Sequence, residues 1–463
     1  MATTRLHALI SPILPIVWQG SAEYETARIG RVFNHRRPSR NPLAVVEAVN
    51  EVHIVEAVRL ANKLGCRVSV RSGGHNWAAW RVREGAILID LGNYHEFSLD
   101  EDTGVLSAWG RMFPGGHYPD VGLGGFILQG GMGWNCMNWG FACERLLAVD
   151  VVTADGRQLH SNETENSELL WAARGAGPGF PAIVTRFHLQ TMPAFSHARS
   201  AAYTYEKKDA RKALEWVTRI TSNFDDGTEI VAVANYPPGL SDVHVTVLFV
   251  TFKNNEDEAR TALQPAQDCA PPGYIHSWFL KETSVAQEYH DQQSAYPEGH
   301  RYCVDNCYIA NDADIVSVLE GAFTSLPSKK TFSLWYSMAP GSRRSSEDGT
   351  MKDMALSMQT DHYFAVYAIW EDESDDARCQ SWVRGIFKEA EKHSEGAYLG
   401  DADFQVRRTR FWGEKQGRRL MDIRKKWDPR GMVAGYLNAG DMSGTESLEN
   451  VHEWEVRDPL QVN

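Results

Sequence analysis

The sequence predicts an α+β protein built in two parts. Up to about residue 195, short apolar runs alternate with one clear helical pattern and three glycine-rich loops. Beyond Pro193 the texture changes to long alternating strands and amphipathic helices, the signature of an antiparallel sheet with helices on one side. With 463 residues, 43% of them hydrophobic, the chain can bury more than one core.

The elements follow in order. Ala44–Ala48 is a short apolar run. Asn50 can cap a helix in which Ile54, Ala57, Val58, Ala61 and Leu64 share a face, and Gly65 suits its C′ position. Cys66–Val70 and Ala86–Leu91 read as strands. Glycine-rich loops run from Pro114 to Gly133. Leu147–Ala154 is a strand ending in the turn Asp155-Gly156, Glu168–Ala173 a short helix, and Ala182–Thr191 a closing strand. In the second part, Val243–Phe252 and His362–Trp370 alternate apolar and polar residues. Lys208–Phe224 and Asp376–Lys392 carry helical spacing, and a last helix, Gly417–Trp427, is stopped by Asp428-Pro429.

Composition narrows the function. A net charge of −13 argues against a nucleic-acid or anionic-membrane partner. No apolar run reaches the ~20 residues of a membrane helix. Seven scattered cysteines, an odd number, speak against a disulfide framework and for a reducing compartment, so a cytoplasmic location is expected. Secretion is the alternative, because LHALISPILPIVW faintly resembles a signal core broken by two prolines. Cys303, Cys307 and nearby His300 have metal-like spacing but lack a fourth ligand. They read as ordinary residues of a strand, and no metal is expected.

The glycine loops carry the chemistry. RSGGHNW (Arg71–Trp77) leaves a strand, turns on Gly73 and Gly74 and presents His75. Consecutive amides in such a turn suit phosphate oxygens, and Arg71 could add a charged donor. FPGGHYPDVGLGGFILQGGMGWN (Phe113–Asn135) is no GxGxxG motif, which speaks against a Rossmann nicotinamide site. Its closely spaced glycines suggest backbone laid against a flat extended ligand. RGAGPGF (Arg174–Phe180) is a third such loop. Three in one α/β unit imply a large phosphate-bearing cofactor.

Together with LWAARGAGPGFPAIVTRF and FWGEKQGRRLMDIRKKWDP, these stretches resemble the FAD-linked oxidases of the vanillyl-alcohol-oxidase superfamily. The likeness is to the berberine-bridge-enzyme-like and 6-hydroxynicotine-oxidase-like branch. It implies a two-lobed PCMH-type FAD-binding domain over residues 35–195, an antiparallel-sheet substrate domain over 196–405, and a segment 406–463 returning to the FAD domain. It implies FAD attached covalently through His75. Arg71, Ser72, Gly73, Gly74, Asn76, Tyr118, Val121, Gly122, Gly124, Gly125, Gly130, Gly131, Gly133 and Val184 would stand around the cofactor, the glycines before His75 at its pyrophosphate.

The chain departs from the family pattern in two places. Relatives often add a cysteinyl link from a C-P-x-V-G context. Here the stretch is Tyr118-Pro119-Asp120-Val121-Gly122, so no thioether can form there. A helix usual before the MFPGG loop is also missing, Trp109-Gly110-Arg111-Met112 joining the flanks almost directly. A Y-x-N-x-x-D-like stretch reads Tyr398-Leu399-Gly400-Asp401-Ala402-Asp403, which offers Tyr398 and Asp403 as proton-handling residues. Tyr367 is a further candidate from the substrate sheet, with Tyr336, Tyr363 and Trp370 beside it as pocket aromatics. The function so implied is an FAD-dependent oxidase. It would take hydride from a small organic substrate, a secondary metabolite or alcohol, to flavin N5, with reoxidation by O2. A flavin-fold cyclase without net redox turnover and an inactive binding protein are the alternatives.

Overall fold

The computed structural model describes residues 14–95, 111–403, 406–407 and 409–435. The expected short connection at Trp109-Gly110 lies outside them. Arg111–Met112 forms a two-stranded pair with Met192–Pro193.

The first lobe is a four-stranded sheet in the order Ile16–Trp18, Ala44–Glu47, Ile87–Asp90, Val68–Arg71, the last three parallel. Helix Glu51–Leu64 covers it. The Asn50 carboxamide oxygen accepts from the His53 N–H at 3.0 Å, and Gly65 ends the helix at φ 67°. Ile54, Ala57, Val58 and Ala61 pack on Val46, Val68, Ile87 and Ile89. Burial on both faces explains why these strands read as continuous apolar runs.

The second lobe is a three-stranded antiparallel sheet, Gln158–Ser161, Leu146–Thr153, Ala182–Leu189. Sequence reading does not find the strand Gln158–Ser161, because QLHS shows no apolar alternation. The stretch expected as loops, Pro114–Gly133, contains the helix Leu123–Leu128, and Cys136–Trp139 adds another helical turn. Two glycines in LGGFIL lower its helix propensity, so tertiary packing forms the helix where local preference does not.

The other part is an eight-stranded sheet in the order Tyr274–Thr283, His197–Glu206, His244–Lys253, Thr228–Asn235, Phe332–Ser337, His362–Trp370, Arg301–Ile309, Ser394–Gly396. All its pairings are antiparallel. Strand periodicity assigns its faces. Phe364, Val366, Ala368 and Trp370 join a core with helices Ala210–Ile220, Glu256–Cys269, Ile315–Thr324 and Asp376–Ala390. Cys303 and Cys307 belong to this helix-side core. The alternate residues Tyr363, Ala365, Tyr367 and Ile369 face the first part and share a core with Trp77, Phe126 and Trp171. Helices thus cover one face of the sheet, and the glycine-rich lobes cover the other.

The final helix, Glu414–Trp427, returns to the second lobe. Trp412 Nε1 donates to the Gly175 carbonyl at 2.9 Å. The Asp428 carboxylate accepts from the amides of Met432 and Val433, and Val433 bridges to Val68 on the first sheet. No described helix is long and apolar enough to cross a membrane.

Candidate active site

A cavity opens where the two glycine-rich lobes meet the inner face of the eight-stranded sheet. Its wall is assembled from the turn after strand Val68–Arg71, from the helix Leu123–Leu128, from strand Ala182–Leu189 and from the inward tyrosines of the large sheet.

The turn is held from behind. The Arg71 guanidinium pairs with Asp90 and donates to the carbonyls of Ala27 and Arg28 at 2.6 Å each. It therefore anchors the turn, and the charged donor expected at a phosphate is already engaged. Gly74 takes φ 78°, and a Cβ there would lie 1.7 Å from the Arg31 carbonyl oxygen. A Cβ on Gly73 would lie 2.6 Å from the Gly122 nitrogen, so the two loops touch backbone to backbone.

Arg71, Ser72, Gly73, Gly74, His75, Asn76, Tyr118, Val121, Gly122, Gly124, Gly125 and Val184 all line the cavity. Gly130, Gly131 and Gly133 do not. Their surroundings are Leu356, Ala142 and the backbone of Pro114 and Gly115, so they serve the local packing. The His75 ring stacks on Phe33, centroids 4.6 Å apart, and tilts against Tyr118 at 5.5 Å. Burial pulls its pKa down to about 4, with Asp120 opposing weakly, so the imidazole is neutral and nucleophilic at ordinary pH.

These residues fit a flavin dinucleotide. A Cβ at Gly125 would meet nothing within 4 Å, which leaves backbone bare toward the cavity. The contacting turn and glycine loop offer amides, and His75 supplies the neutral ring nitrogen beside them.

Proton-handling groups gather on the substrate-sheet side. Tyr367 and Tyr398 line the cavity, and so does Asp401. Tyr398 Oη accepts from the amides of Gly131 and Met132 at 3.1 and 3.0 Å. Asn306 fixes its backbone, donating to the Tyr398 carbonyl and accepting from its N–H. Burial pushes the phenol up, and the two amides pull it back. A Cβ at Gly400 would lie 2.5 Å from the Tyr398 ring, so in this arrangement the ring lies against bare backbone.

Asp401 is the residue that sequence reading missed. Tyr363 Oη donates to its Oδ2 at 2.6 Å. Burial raises the carboxyl above its ordinary value, while the Tyr363 and Tyr367 hydroxyls and His117 pull it back. The available signal was spacing: Leu399–Asp401 is a 3-10 turn, in which residues three apart eclipse, so Asp401 falls beside Tyr398. Asp403 goes elsewhere. Its fully buried carboxylate pairs with Arg36 at 2.7 Å, outside the cavity lining. Of the three residues expected to handle protons, the structure brings Tyr398 and Tyr367 to the cavity and gives Asp403 a structural partner.

His117 also lines the cavity. Its Nε2 lies 3.1 and 3.3 Å from the two oxygens of buried Glu229, on strand Thr228–Asn235. Burial disfavours charge on this ring, but the Glu229 carboxylate outweighs that and holds its pKa above the ordinary imidazole value.

A cavity between two glycine-rich α/β lobes and a tyrosine-lined sheet, with a neutral histidine on its wall, defines a flavin-dependent oxidoreductase. Comparison with known proteins agrees. The FAD binding domain family model matches residues 42–110 and 105–162. The FAD-linked oxidoreductase nodO of Hypoxylon pulicicidum is 35% identical over 92% of this chain and 98% of its own length. The FAD-linked oxidoreductase penO of Penicillium crustosum is 36% identical over 91% and 96%. The glucooligosaccharide oxidase of Acremonium strictum, described as carrying 6-S-cysteinyl, 8α-N1-histidyl FAD, superposes with a TM-score of 0.77 at 18% identity, over 93% of this chain and 97% of that one. The chain belongs to the FAD-linked oxidoreductases and is an FAD-dependent enzyme acting on a small molecule.

Proposed function

We propose that this enzyme oxidises a small organic alcohol, of the kind found among secondary metabolites, on FAD attached through His75, with O2 as the final electron acceptor. When bound, FAD supplies the two-electron acceptor. The FAD-binding part is assigned to residues 35–195 and 406–463 and the substrate part to 196–405; from before the first boundary, strand Ile16–Trp18 joins the first lobe's sheet and Val32 and Phe33 line the cavity.

The observation that carries the reading is Asp401 beside Tyr363, Tyr367 and Tyr398 on the cavity that His75 also lines. Burial raises the Asp401 carboxyl above its ordinary value, the direction in which a general base gains proton affinity. Asp401 accepts the substrate hydroxyl proton. Tyr363 holds one carboxylate oxygen and so orients the other. Tyr398 is a relay whose oxygen, if it becomes negative, is stabilised by the two backbone amides pointing at it. Aromatic walls from Trp77, Tyr296 and Tyr367 exclude water and favour a substrate with an apolar body.

The test is the colour of the protein after acid precipitation. A pellet that stays yellow, and turns colourless with free flavin in the supernatant in His75→Ala, supports the attachment. Complete release of flavin from the wild type refutes it. Peroxide formation on turnover of an alcohol panel tests the acceptor and the substrate class.

A further inference from the structure

Outside the flavin cavity, three strands of the second lobe bring together side chains that oxidation does not use. We propose that Asp150, His160 and His188 form a binding site for a divalent transition-metal ion with a preference for nitrogen ligands, zinc(II) being the probe.

The register creates the cluster. Asp150 stands directly opposite His160 on the neighbouring strand Gln158–Ser161. On its other side Ala148, two residues away on the same face, stands opposite His188. Each strand thus contributes one ligand, and the small Ala148 leaves room between them. His160 Nδ1 lies 2.6 Å from Asp150 Oδ1, and His188 Nε2 lies 2.9 Å from Oδ2. The three ligand atoms all fall within 4.8 Å of one another.

An ion held at ~2.1 Å by each ligand needs them about 3.4 Å apart in a tetrahedral arrangement. The carboxylate and the imidazoles therefore separate by less than about 1 Å to admit it. In doing so the carboxylate exchanges two hydrogen bonds for a metal bond. Side-chain exposures of 40%, 34% and 25% for His160, His188 and Asp150 let an ion enter and leave positions for water. Two imidazoles with one carboxylate suit zinc, copper or nickel, whereas calcium and magnesium take oxygen ligands. Arg186 stands opposite Asp150 in the register, and its charge works against a cation. Affinity must therefore come from the imidazoles, which again selects a nitrogen-preferring ion.

The site has a structural consequence. Strand Ala182–Leu189 lends Ile183, Val184 and Phe187 to the flavin cavity, while His188 points to the opposite face from Phe187. An ion there ties this wall of the cavity to its two neighbouring strands from outside.

Calorimetric titration of tag-free, FAD-loaded protein with zinc chloride tests this. One ion per chain is expected. Affinity should fall at least tenfold in both Asp150→Asn and His188→Gln, with the flavin spectrum and circular dichroism unchanged, and it should be kept in Cys269→Ser, which removes the exposed thiol. Wild-type protein loaded with cobalt(II) gives a second readout that does not depend on the variants folding. Weak visible bands without intense near-ultraviolet thiolate absorption support the nitrogen and oxygen ligands. The absence of binding, binding that survives Asp150→Asn and His188→Gln (an adventitious ion only), or thiolate bands would each overturn the proposal.

Discussion

Replacing Gly125 by valine separates a glycine kept for a ligand from glycines kept for the fold. Gly125 lies in the helix Leu123–Leu128 and lines the cavity, and a Cβ there would meet no protein atom within 4 Å. The protein alone has room for the new side chain. Valine is also a slightly better helix residue than glycine, by roughly 0.3 kcal/mol, so folding should not suffer. The bound cofactor has no such room, since the isopropyl group projects into the space it would occupy. Flavin affinity should fall tenfold or more, equivalent to about 1.4 kcal/mol. Gly133→Ala is the contrasting case. Its Cβ would lie 2.3 Å from the Gly115 carbonyl oxygen and 2.5 Å from that of Pro114, so backbone must shift and stability falls by roughly 1–3 kcal/mol. The assay is the ratio of flavin to protein absorbance in soluble, monodisperse material, read beside the thermal midpoint of apoprotein produced without flavin. Gly125→Val should lower the ratio at an unchanged midpoint, and Gly133→Ala should lower the midpoint first. If Gly125→Val loses soluble protein and flavin in equal measure, the reasoning fails.

Tryptic digestion should yield a single flavopeptide containing His75, because Tyr118 offers no thiol; flavin on a Cys136 or Cys143 peptide would contradict this. Covalent uptake of FAD by apoprotein should be flat above about pH 6. It should halve only near pH 4, since burial lowers the His75 pKa to about 4 and the reactive neutral ring persists down to that value. A midpoint at the ordinary imidazole value would mean that the ring is not desolvated. Asp401→Asn should slow anaerobic flavin reduction by roughly 100-fold or more, with flavin loading unchanged. Tyr398→Phe should cost less, because the proton acceptor remains, and a wild-type rate in Asp401→Asn would remove Asp401 from the mechanism. Asp403→Asn should act on stability instead, costing roughly 3–5 kcal/mol through the buried Arg36 it leaves behind. A loss of reduction rate at an unchanged thermal midpoint would return Asp403 to the site.

Much of the architecture was legible because it rests on local signals. The helix after Asn50 declared itself by cap, spacing and terminal glycine; strand His362–Trp370 was found too, but the polar alternation expected there is absent, because Tyr363–Trp370 is buried on both faces. The helix Leu123–Leu128 was hidden by its own glycines, and the strand Gln158–Ser161 by polar residues paired on an edge. At the site, the RSGGH turn was readable from glycine chemistry. That Arg71 is engaged by Asp90 could not be read, because the partner lies on a separate strand. Asp401 was passed over in favour of Asp403 because a spaced motif indicates position along the chain but not direction. A single turn of 3-10 helix aims one carboxylate at the cavity and leaves the other for Arg36. The His117–Glu229 pair joins residues more than a hundred positions apart and is visible only once the sheet is folded.

The bridge between Val68 and Val433 bears on how the enzyme is made. Val433 lines the flavin cavity and closes the edge of the first sheet, although most of that sheet is translated hundreds of residues earlier. At ~5–20 residues per second, the first lobe waits tens of seconds on the ribosome with the Val68–Arg71 edge unpaired. Capture of FAD therefore belongs to the time after Val433 has been made, when the last helix has docked and Val433 has reached Val68. Chains cut short before that point would keep their glycine loops and His75 and still lack a finished wall.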